Sequence, residues 1–290
     1  MMIGQGKNRK QAAGAGASRR VLIRLAAIIF TGYAVIVALF YGAQGYLLHP
    51  GRLLPANPDV VTTLKPLTIL SGDGVRLTAW YGPPSMAGKP TVLMLHGNNE
   101  CAWHRAFDAS DLTVQGYGVL ALEYRGYCGA PGWPTEANMI ADAATALAFL
   151  EDRGARVVAY GYSIGSGVAV GLAAGEGNGK LAGLFLEAPF TSAVDAAVHL
   201  LPFLPVRVFM RDRFNSLDRI DEVEAPIVVC HGTDDAIIPA WQFDTLFQAA
   251  PEPRLRVVAE GADHISTWRL GCGEAFKALV ERATVDQVDA

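Results

Sequence analysis

The stretch AYGYSIGSG, residues 159–167, places Ser163 among small neighbours in a G-x-S-x-G pattern. Gly165 and Gly167 could simply let a helix pack closely on a strand, or they could flank a turn too sharp for larger residues. A buried-strand pattern ends just before Ser163 and a helical pattern begins just after it, and this context favours a nucleophile. The Ile164 amide, at the positive end of that helix, would then face a developing oxyanion.

A serine hydroxyl needs a base, and the base needs an acid that orients it. The histidines of the chain are His49, His96, His104, His199, His231 and His264. We predict that His264 is the base, because it follows the last predicted strand in a glycine-containing loop, EGADHIS. His96 and His231 end predicted strands and are expected to bond loop backbone. The remaining three are interpreted as packing, surface or membrane-junction residues.

The acid has three candidates. HGTDDAIIP supplies Asp234 and Asp235 after one predicted strand, and Glu187 ends an earlier one, LFLEAP. The chain order Ser…Asp…His and the loop position favour Asp235. Asp234 could instead cap a turn, because Asp is favoured in turns.

The second half of an oxyanion hole should come from HGNNE, residues 96–100. Gly97 lets the backbone turn there, so the amide of Asn98, or less favourably Asn99, can point at the nucleophile. A His-Gly pair alone is weak evidence. In a chain that already carries a nucleophile turn, it indicates the oxyanion loop.

Near-continuous apolar runs predict buried strands of a parallel sheet covered on both faces. The predicted strands are 65–70, 75–81, 91–97, 118–124, 155–162, 182–189, 226–232 and 254–260, and the predicted helices are 135–152, 164–175 and 266–284. This alternation predicts a doubly wound, mostly parallel α/β domain over residues 44–290, with its first two strands as an antiparallel pair at one edge.

A helical cap insertion is predicted at about residues 190–224, over the carboxyl edge of the sheet where ligands bind. It is rich in large apolar residues, among them Leu200, Phe203 and Leu204. These could bind an apolar acyl group, or they could merely pack the insertion onto the sheet.

The N-terminus predicts a membrane anchor. Residues 1–20 carry five basic and no acidic residues and are expected to be disordered. Residues 21–43 are apolar except for Arg24. This run is long enough for a transmembrane helix. The basic flank places the tail in the cytoplasm and residues 44–290 outside it, in the periplasm of a bacterium. A cleaved signal peptide is the alternative, although the apolar run is longer than usual for one.

Composition and residue spacing argue against several other classes of function. The net charge of −4 gives no reason to expect nucleic acid, and the spacing of the four cysteines fits no structural metal site. Gly165-Ser166-Gly167 lies too late in the chain for a nucleotide-binding fingerprint, which belongs after the first strand. We therefore expect no cofactor and no metal.

The motifs HGNNE, EYRGYCGAPGWPTE, GYSIGSG, EAPFTS, HGTDDAIIP and GADHIS occur in this order. Together they resemble the α/β-hydrolase superfamily, and more narrowly its single-pass membrane-anchored serine hydrolases, over roughly residues 45–285. The resemblance implies Ser163 as nucleophile, Asp235 as acid and His264 as base. Two positions depart from the family pattern, because Cys128 stands where glycine is usual and Asp263 precedes the histidine.

The leading functional hypothesis is hydrolysis of a small or lipid-like ester or thioester through an acyl-Ser163 intermediate. A peptidase or amidase with the same triad is the alternative. A catalytically silent membrane scaffold is disfavoured because all three triad residue types are present.

A disulfide between Cys101 and Cys128 is also predicted. Their loops leave the same ends of two strands that the fold makes neighbours, about 4.8 Å apart, and an extracytoplasmic location would preserve the bond. Cys230 in its strand and Cys272 in the last helical region are not expected to be better partners.

Overall fold

The computed structural model describes residues 5–56, 63–108 and 110–285. The chain divides into two compact units, with the boundary between Gln44 and Gly45. The described residues of the first unit are helical, and the second unit holds the sheet and every candidate site residue.

Helix α1 spans Gln5–Leu48. It includes residues 5–20, which the composition predicts to be disordered, whereas residues 1–4 lie outside the described part of the chain. Extending a helix costs far less than starting one, and the Ala, Lys, Arg and Gln residues of this tail are good helix formers. Within the described residues, Leu22–Leu48 is the stretch long and apolar enough to cross a bilayer, and most of its large apolar side chains are exposed.

The apolar runs form one sheet of eight strands within the described residues. The strands are β1 (Lys65–Leu70), β2 (Arg76–Gly82), β3 (Thr91–Leu95), β4 (Gly118–Leu122), β5 (Val157–Tyr162), β6 (Leu181–Glu187), β7 (Ile227–Gly232) and β8 (Arg254–Ala259). Their order is β1-β2-β4-β3-β5-β6-β7-β8. Strand β2 is antiparallel to β1 and to β4, and the strands from β4 to β8 are mutually parallel. The predicted doubly wound fold and its antiparallel edge are confirmed.

Helices cover both faces of the sheet. After α1 they are α2 (Ala102–Asp108), α3 (Ser110–Val114), α4 (Glu136–Glu151), α5 (Ile164–Ala174), α6 (Ala193–Leu200), α7 (Val206–Phe209), α8 (Ala240–Ala249) and α9 (Gly273–Val285). One apolar cluster packs α4, α5 and α8 against the sheet, and a second cluster packs α2, α3 and α9. Helix α4 begins where the sequence predicts, because the Thr135 hydroxyl caps the Asn138 amide at 3.2 Å.

The carboxyl ends of parallel strands meet at one edge of a sheet, so the loops after β3, β5, β7 and β8 all open there. The insertion after β6 contains α6 and α7 and, as predicted, no strand among its described residues. Helices α2, α3 and α8 are not predicted from the sequence, because two are short and α8 lacks a capping side chain. The last predicted helix is broken at Gly271, whose φ of 138° a helix cannot accommodate.

All four cysteines are described, and all are paired. The predicted disulfide Cys101–Cys128 is confirmed, with Cα atoms 5.9 Å apart. A second disulfide, which the sequence does not predict, joins Cys230 to Cys272, with Cα atoms 5.7 Å apart. The helix is interrupted before α9, and the chain turns back toward β7 at this point. Helical periodicity in the sequence does not predict such an interruption.

Cys128 occupies a strained backbone position. Its φ is 47°, a left-handed conformation that favours glycine. This explains why glycine is usual here in the family that the motifs resemble. A cysteine at this position accepts the strain and provides the covalent bond to Cys101.

We expect unreduced, denatured protein to contain no thiol that alkylating reagents can modify. Replacing either pair by alanine should lower the free energy of unfolding, because the disulfides close loops with sequence separations of 27 and 42. The chain-entropy relation gives about 3.5 and about 4 kcal/mol for loops of these lengths. Mass spectrometry after alkylation and denaturant titration of the two double variants measure both quantities. Two or more modified cysteines in the unreduced protein would contradict the pairing.

Candidate functional site

Ser163 lies in the sharp turn between β5 and α5. Its φ of 52° and ψ of −119° are strained for a residue with a side chain. A Cβ atom on Gly161 would lie 2.4 Å from the Gly165 carbonyl oxygen, and one on Gly165 would lie 2.1 Å from the Leu95 carbonyl oxygen. These two positions must be glycine for the turn to close. The glycines therefore accompany a strained serine and also allow close packing against β3.

The structure brings the three predicted triad residues together. His264 Nε2 lies 3.0 Å from Ser163 Oγ, and His264 Nδ1 lies 2.7 Å from Asp235 Oδ2. Both distances are within hydrogen-bonding range. If Nδ1 carries the proton and donates to Asp235, the unprotonated Nε2 is free to accept the serine proton. This is the arrangement that general-base activation of a serine requires.

Asp235 is held as a carboxylate by its surroundings. Its other oxygen, Oδ1, accepts hydrogen bonds from the Ile237 and Ile238 amides, each at 2.9 Å. Burial raises the pKa of Asp235, but the hydrogen bond and charge of His264 and the Ile238 amide outweigh burial, and the pKa is lowered. The group facing His264 is therefore ionised at neutral pH.

Glu187, a competing acid, points elsewhere. It accepts a hydrogen bond from the Thr267 hydroxyl at 2.6 Å and another from the Tyr160 hydroxyl. Burial raises the pKa of this fully buried carboxyl group. Asp234 is exposed and accepts from the Thr233 hydroxyl at 3.1 Å, as a turn residue would.

The loop that carries His264 is held from two sides. Asp263 Oδ1 accepts from the amides of Ile265 and Ser266, at 3.0 and 2.8 Å, which closes a tight turn around the histidine. The Tyr162 hydroxyl donates to the His264 carbonyl at 2.9 Å. Asp263, which departs from the family pattern, thus shapes the loop without replacing any triad group.

The predicted oxyanion loop lies against the turn at Ser163. A Cβ atom on Gly97 would lie 3.0 Å from the Tyr162 ring, so the loop passes directly beside the residue before the nucleophile. The Gly97 amide donates to Glu100 Oε1 at 2.5 Å, and Arg105 holds that carboxylate at 2.7 and 2.9 Å. The amides of Asn98 and Ile164 have no hydrogen-bond partner among the described residues, which is what an oxyanion hole needs before substrate binds.

His96 and His231 bond loop backbone, as predicted. His96 Nδ1 donates to the Gly97 carbonyl at 2.9 Å, and its Nε2 lies 3.1 Å from Glu123. His231 Nε2 donates to the Ile238 carbonyl at 3.0 Å, which steadies the loop of Asp235.

The predicted substrate-binding residues of the cap differ in exposure. Leu200 and Phe203 are 52% and 63% exposed, whereas Leu204 is almost buried and packs the insertion. Sequence reasoning missed two exposed apolar residues of the triad loops, Ile237 and Ile265. Their positions beside Asp235 and His264 are the signal that could have identified them.

Among the described residues, the set that comes nearest to a metal-ligand cluster is Cys101, Glu123 and Cys128. The two sulfur atoms of this set form a disulfide, so they are not available as thiolate ligands.

Comparison with known proteins shows the family to which the chain belongs. Residues 87–217 match the family described as serine aminopeptidase, S33. Protein Rv2307c of Mycobacterium tuberculosis is 34% identical over 254 residues, which cover 84% of this chain and 87% of that protein. The α/β-hydrolase domain-containing protein WAV2 of Arabidopsis thaliana is 29% identical, over 86% of this chain and 88% of that protein.

The chain belongs to the α/β-hydrolase superfamily. Among solved structures, the Pyrococcus furiosus esterase Pf2001 superposes with a TM-score of 0.62 and 18% identity, over 79% of this chain and 96% of that one. At that identity the likeness concerns the α/β-hydrolase fold alone. Family membership identifies the protein as a hydrolase.

Replacing Asp235 by Asn should lower kcat for a soluble ester reporter by about 10³–10⁴-fold, because the amide favours the wrong histidine tautomer and leaves an imidazolium unpaired. Asp234→Asn and Glu187→Gln are the matched controls and should lower kcat less than tenfold. Steady-state kinetics of the three variants make this comparison. A larger loss from Glu187→Gln than from Asp235→Asn would move the acid to the loop after β6.

Proposed function

We propose that this α/β-hydrolase is a serine hydrolase that cleaves carboxylic esters or thioesters through an acyl-Ser163 intermediate. The observation that carries the proposal is the continuous hydrogen-bonded series from Asp235 through His264 to Ser163. A silent scaffold would have no need to hold Ser163 in a strained conformation facing an imidazole.

The proposed reaction has two halves. In the first, His264 Nε2 takes the Ser163 proton while Oγ attacks the acyl carbon, and the oxyanion forms beside the amides of Asn98 and Ile164. Collapse breaks the bond to the leaving group, which takes the proton from His264. In the second half, His264 removes a proton from water, the hydroxide attacks the acyl-enzyme, and the acid product leaves as Ser163 recovers its proton.

Two observations favour an ester with an apolar acyl group over a peptide. The cap presents exposed Leu200, Phe203 and Val208, and Ile265 beside the base is 80% exposed. An apolar chain could cover this surface, as the hydrophobic effect favours. The matched family is described as a serine aminopeptidase, so peptide hydrolysis with the same triad remains the second candidate.

We also propose that Leu22–Leu48 anchors the protein in a membrane with the hydrolase domain outside the cytoplasm. The length and apolar character of the helix support a membrane span. Arg19, Arg20 and Arg24 favour a cytoplasmic N-terminus. The two disulfides support an oxidising compartment for the domain.

Replacing Ser163 by Ala should abolish both fluorophosphonate labelling and ester hydrolysis, because within the described part of the chain Ser163 supplies the hydroxyl that bonds the His264 ring. Ser85→Ala, at an exposed position before β3, is the control and should keep both activities. Gel fluorescence and reporter hydrolysis measure them, with a peptide reporter in parallel. Labelling that persists in Ser163→Ala would refute the nucleophile, and faster cleavage of the peptide reporter would favour the peptidase.

Protease added outside intact spheroplasts should degrade the hydrolase domain while a cytoplasmic marker stays intact. Immunoblotting against the C-terminal part of the chain follows the digestion. If the domain survives until the cells are lysed, it lies in the cytoplasm and the proposed orientation is wrong.

A further inference from the structure

The short segment between α1 and the sheet lies on the oxyanion loop. We call residues 49–54 the strap; it contains a 3-10 helix, Pro50–Leu53. Within the strap, the Gly51 amide donates to the Asn98 carbonyl at 3.0 Å. The Gly51 carbonyl accepts from the Cys128 amide at 3.2 Å. One residue of the strap thus bridges the loops that follow β3 and β4.

The strap fits closely against Tyr127. A Cβ atom on Gly51 would lie 2.3 Å from the Tyr127 ring and 3.0 Å from the Asn98 carbonyl oxygen, so only glycine allows this approach. His49 is fully buried, and its Nδ1 lies 2.7 Å from the Tyr127 hydroxyl. Burial, with the Arg52 charge, lowers the pKa of His49 to about 4, so the imidazole is neutral at physiological pH.

Three further backbone groups of the oxyanion loop have hydrogen-bond partners. The His96 carbonyl accepts from Tyr124, the Gly97 amide donates to Glu100, and the Gly97 carbonyl accepts from the His96 ring. The strap holds the next group, the Asn98 carbonyl. The Asn98 amide itself has no hydrogen-bond partner among the described residues, whereas the Gly97 and Asn98 carbonyls on either side of it are held.

The strap contact bears directly on the direction of that amide. The Asn98 N–H shares its planar peptide group with the Gly97 carbonyl, which the His96 ring holds. The Asn98 carbonyl belongs to the following peptide group, which Gly51 holds. Because the peptide planes on both sides of Asn98 are restrained, rotation about its N–Cα and Cα–C bonds is limited, which restricts the direction of the N–H.

A covalent bond reinforces the same connection. Cys101 comes three residues after Asn98, and its disulfide partner Cys128 is the residue that donates to Gly51. The oxyanion loop, the loop after β4 and the strap therefore form one cross-linked unit.

We propose that the strap is a positioning element of the oxyanion hole, with Gly51 as its central residue. The inference rests on the proposed serine hydrolase function. Only two residues separate Gly51 from Leu48, the last residue of α1. The end of the candidate membrane anchor is thus continuous with a segment on which transition-state stabilisation depends, which makes the rate of acyl transfer sensitive to this junction.

The test compares Gly51→Ala with Gly72→Ala in the full chain, purified in detergent. Nothing lies within 4 Å of a Cβ atom at Gly72, so the control makes the same chemical change without a collision. Exhaustive fluorophosphonate titration counts the active sites, and kcat is expressed per titrated site. Loss of one complete oxyanion donor lowers kcat by about 10²–10³-fold. For a displaced donor we expect at least a tenfold fall in Gly51→Ala.

The expected pattern separates positioning from folding. KM for a soluble ester should change less than twofold, and the inhibition constant of a trifluoromethyl ketone, which mimics the tetrahedral oxyanion, should rise in proportion to the loss of kcat/KM. A merely structural role would reduce the number of titrated sites and leave kcat per site unchanged. That result, or a loss carried by KM alone, would overturn the inference.

A milder variant covers the case in which Gly51→Ala does not fold. Tyr127→Phe removes one hydroxyl contact of the strap and keeps the ring, and it should lower kcat per site by about two- to tenfold with KM unchanged. If Gly51→Ala yields no folded protein, an unchanged kcat in a folded Tyr127→Phe counts against the strap.

Wild-type protein that neither hydrolyses esters nor reacts with the fluorophosphonate overturns the proposed function. An active wild type with unaffected strap variants overturns this inference alone.

Discussion

The close approach of Gly165 to the Leu95 carbonyl is the constraint on which the site depends. It brings the first turn of α5 against the end of β3. Only glycine allows this approach, because a Cβ atom at Gly165 would collide with the backbone of β3. The turn then presents Ser163 above the carboxyl edge and sets the Ile164 amide at a helix N-terminus. The same approach places the loop of Gly97 beside Tyr162. The positions of Ser163 and of the predicted oxyanion loop therefore have one common origin in backbone packing.

A buried polar network supports both sides of this contact. Its members, in spatial order, are Thr267, Glu187, Tyr160, Arg105, Glu100 and Gly97. It runs from the turn that follows His264 to the oxyanion loop, behind the nucleophile. Charges removed from water are tolerated only when they are paired. Arg105 provides that pairing, because its charge outweighs burial and lowers the pKa of Glu100. The network thus links the loop of His264 to the loop of Gly97 by hydrogen bonds.

Local sequence signals account for much of this arrangement. The strands, the Thr135 cap and the loop positions of Ser163, Asp235 and His264 follow from apolar runs and from the chain order of the motifs. The Cys230–Cys272 pair does not, because the break at Gly271 reverses the chain where periodicity indicates one continuous helix. Residues 5–20 lie in α1, whereas composition alone predicts disorder, because composition ignores propagation from the adjoining apolar helix. The polar network and the strap depend on contacts between residues far apart in the sequence, so no local sequence pattern predicts them.

The most direct test of the account is a crystal structure of the protein after reaction with a fluorophosphonate, whose tetrahedral adduct stands in for the acyl-transfer transition state. We expect phosphorus bonded to Ser163 Oγ, with the phosphonyl oxygen about 2.7–3.1 Å from the amides of both Asn98 and Ile164. His264 should remain between the adduct and Asp235. An adduct on another residue, or a phosphonyl oxygen directed away from both amides, would contradict it.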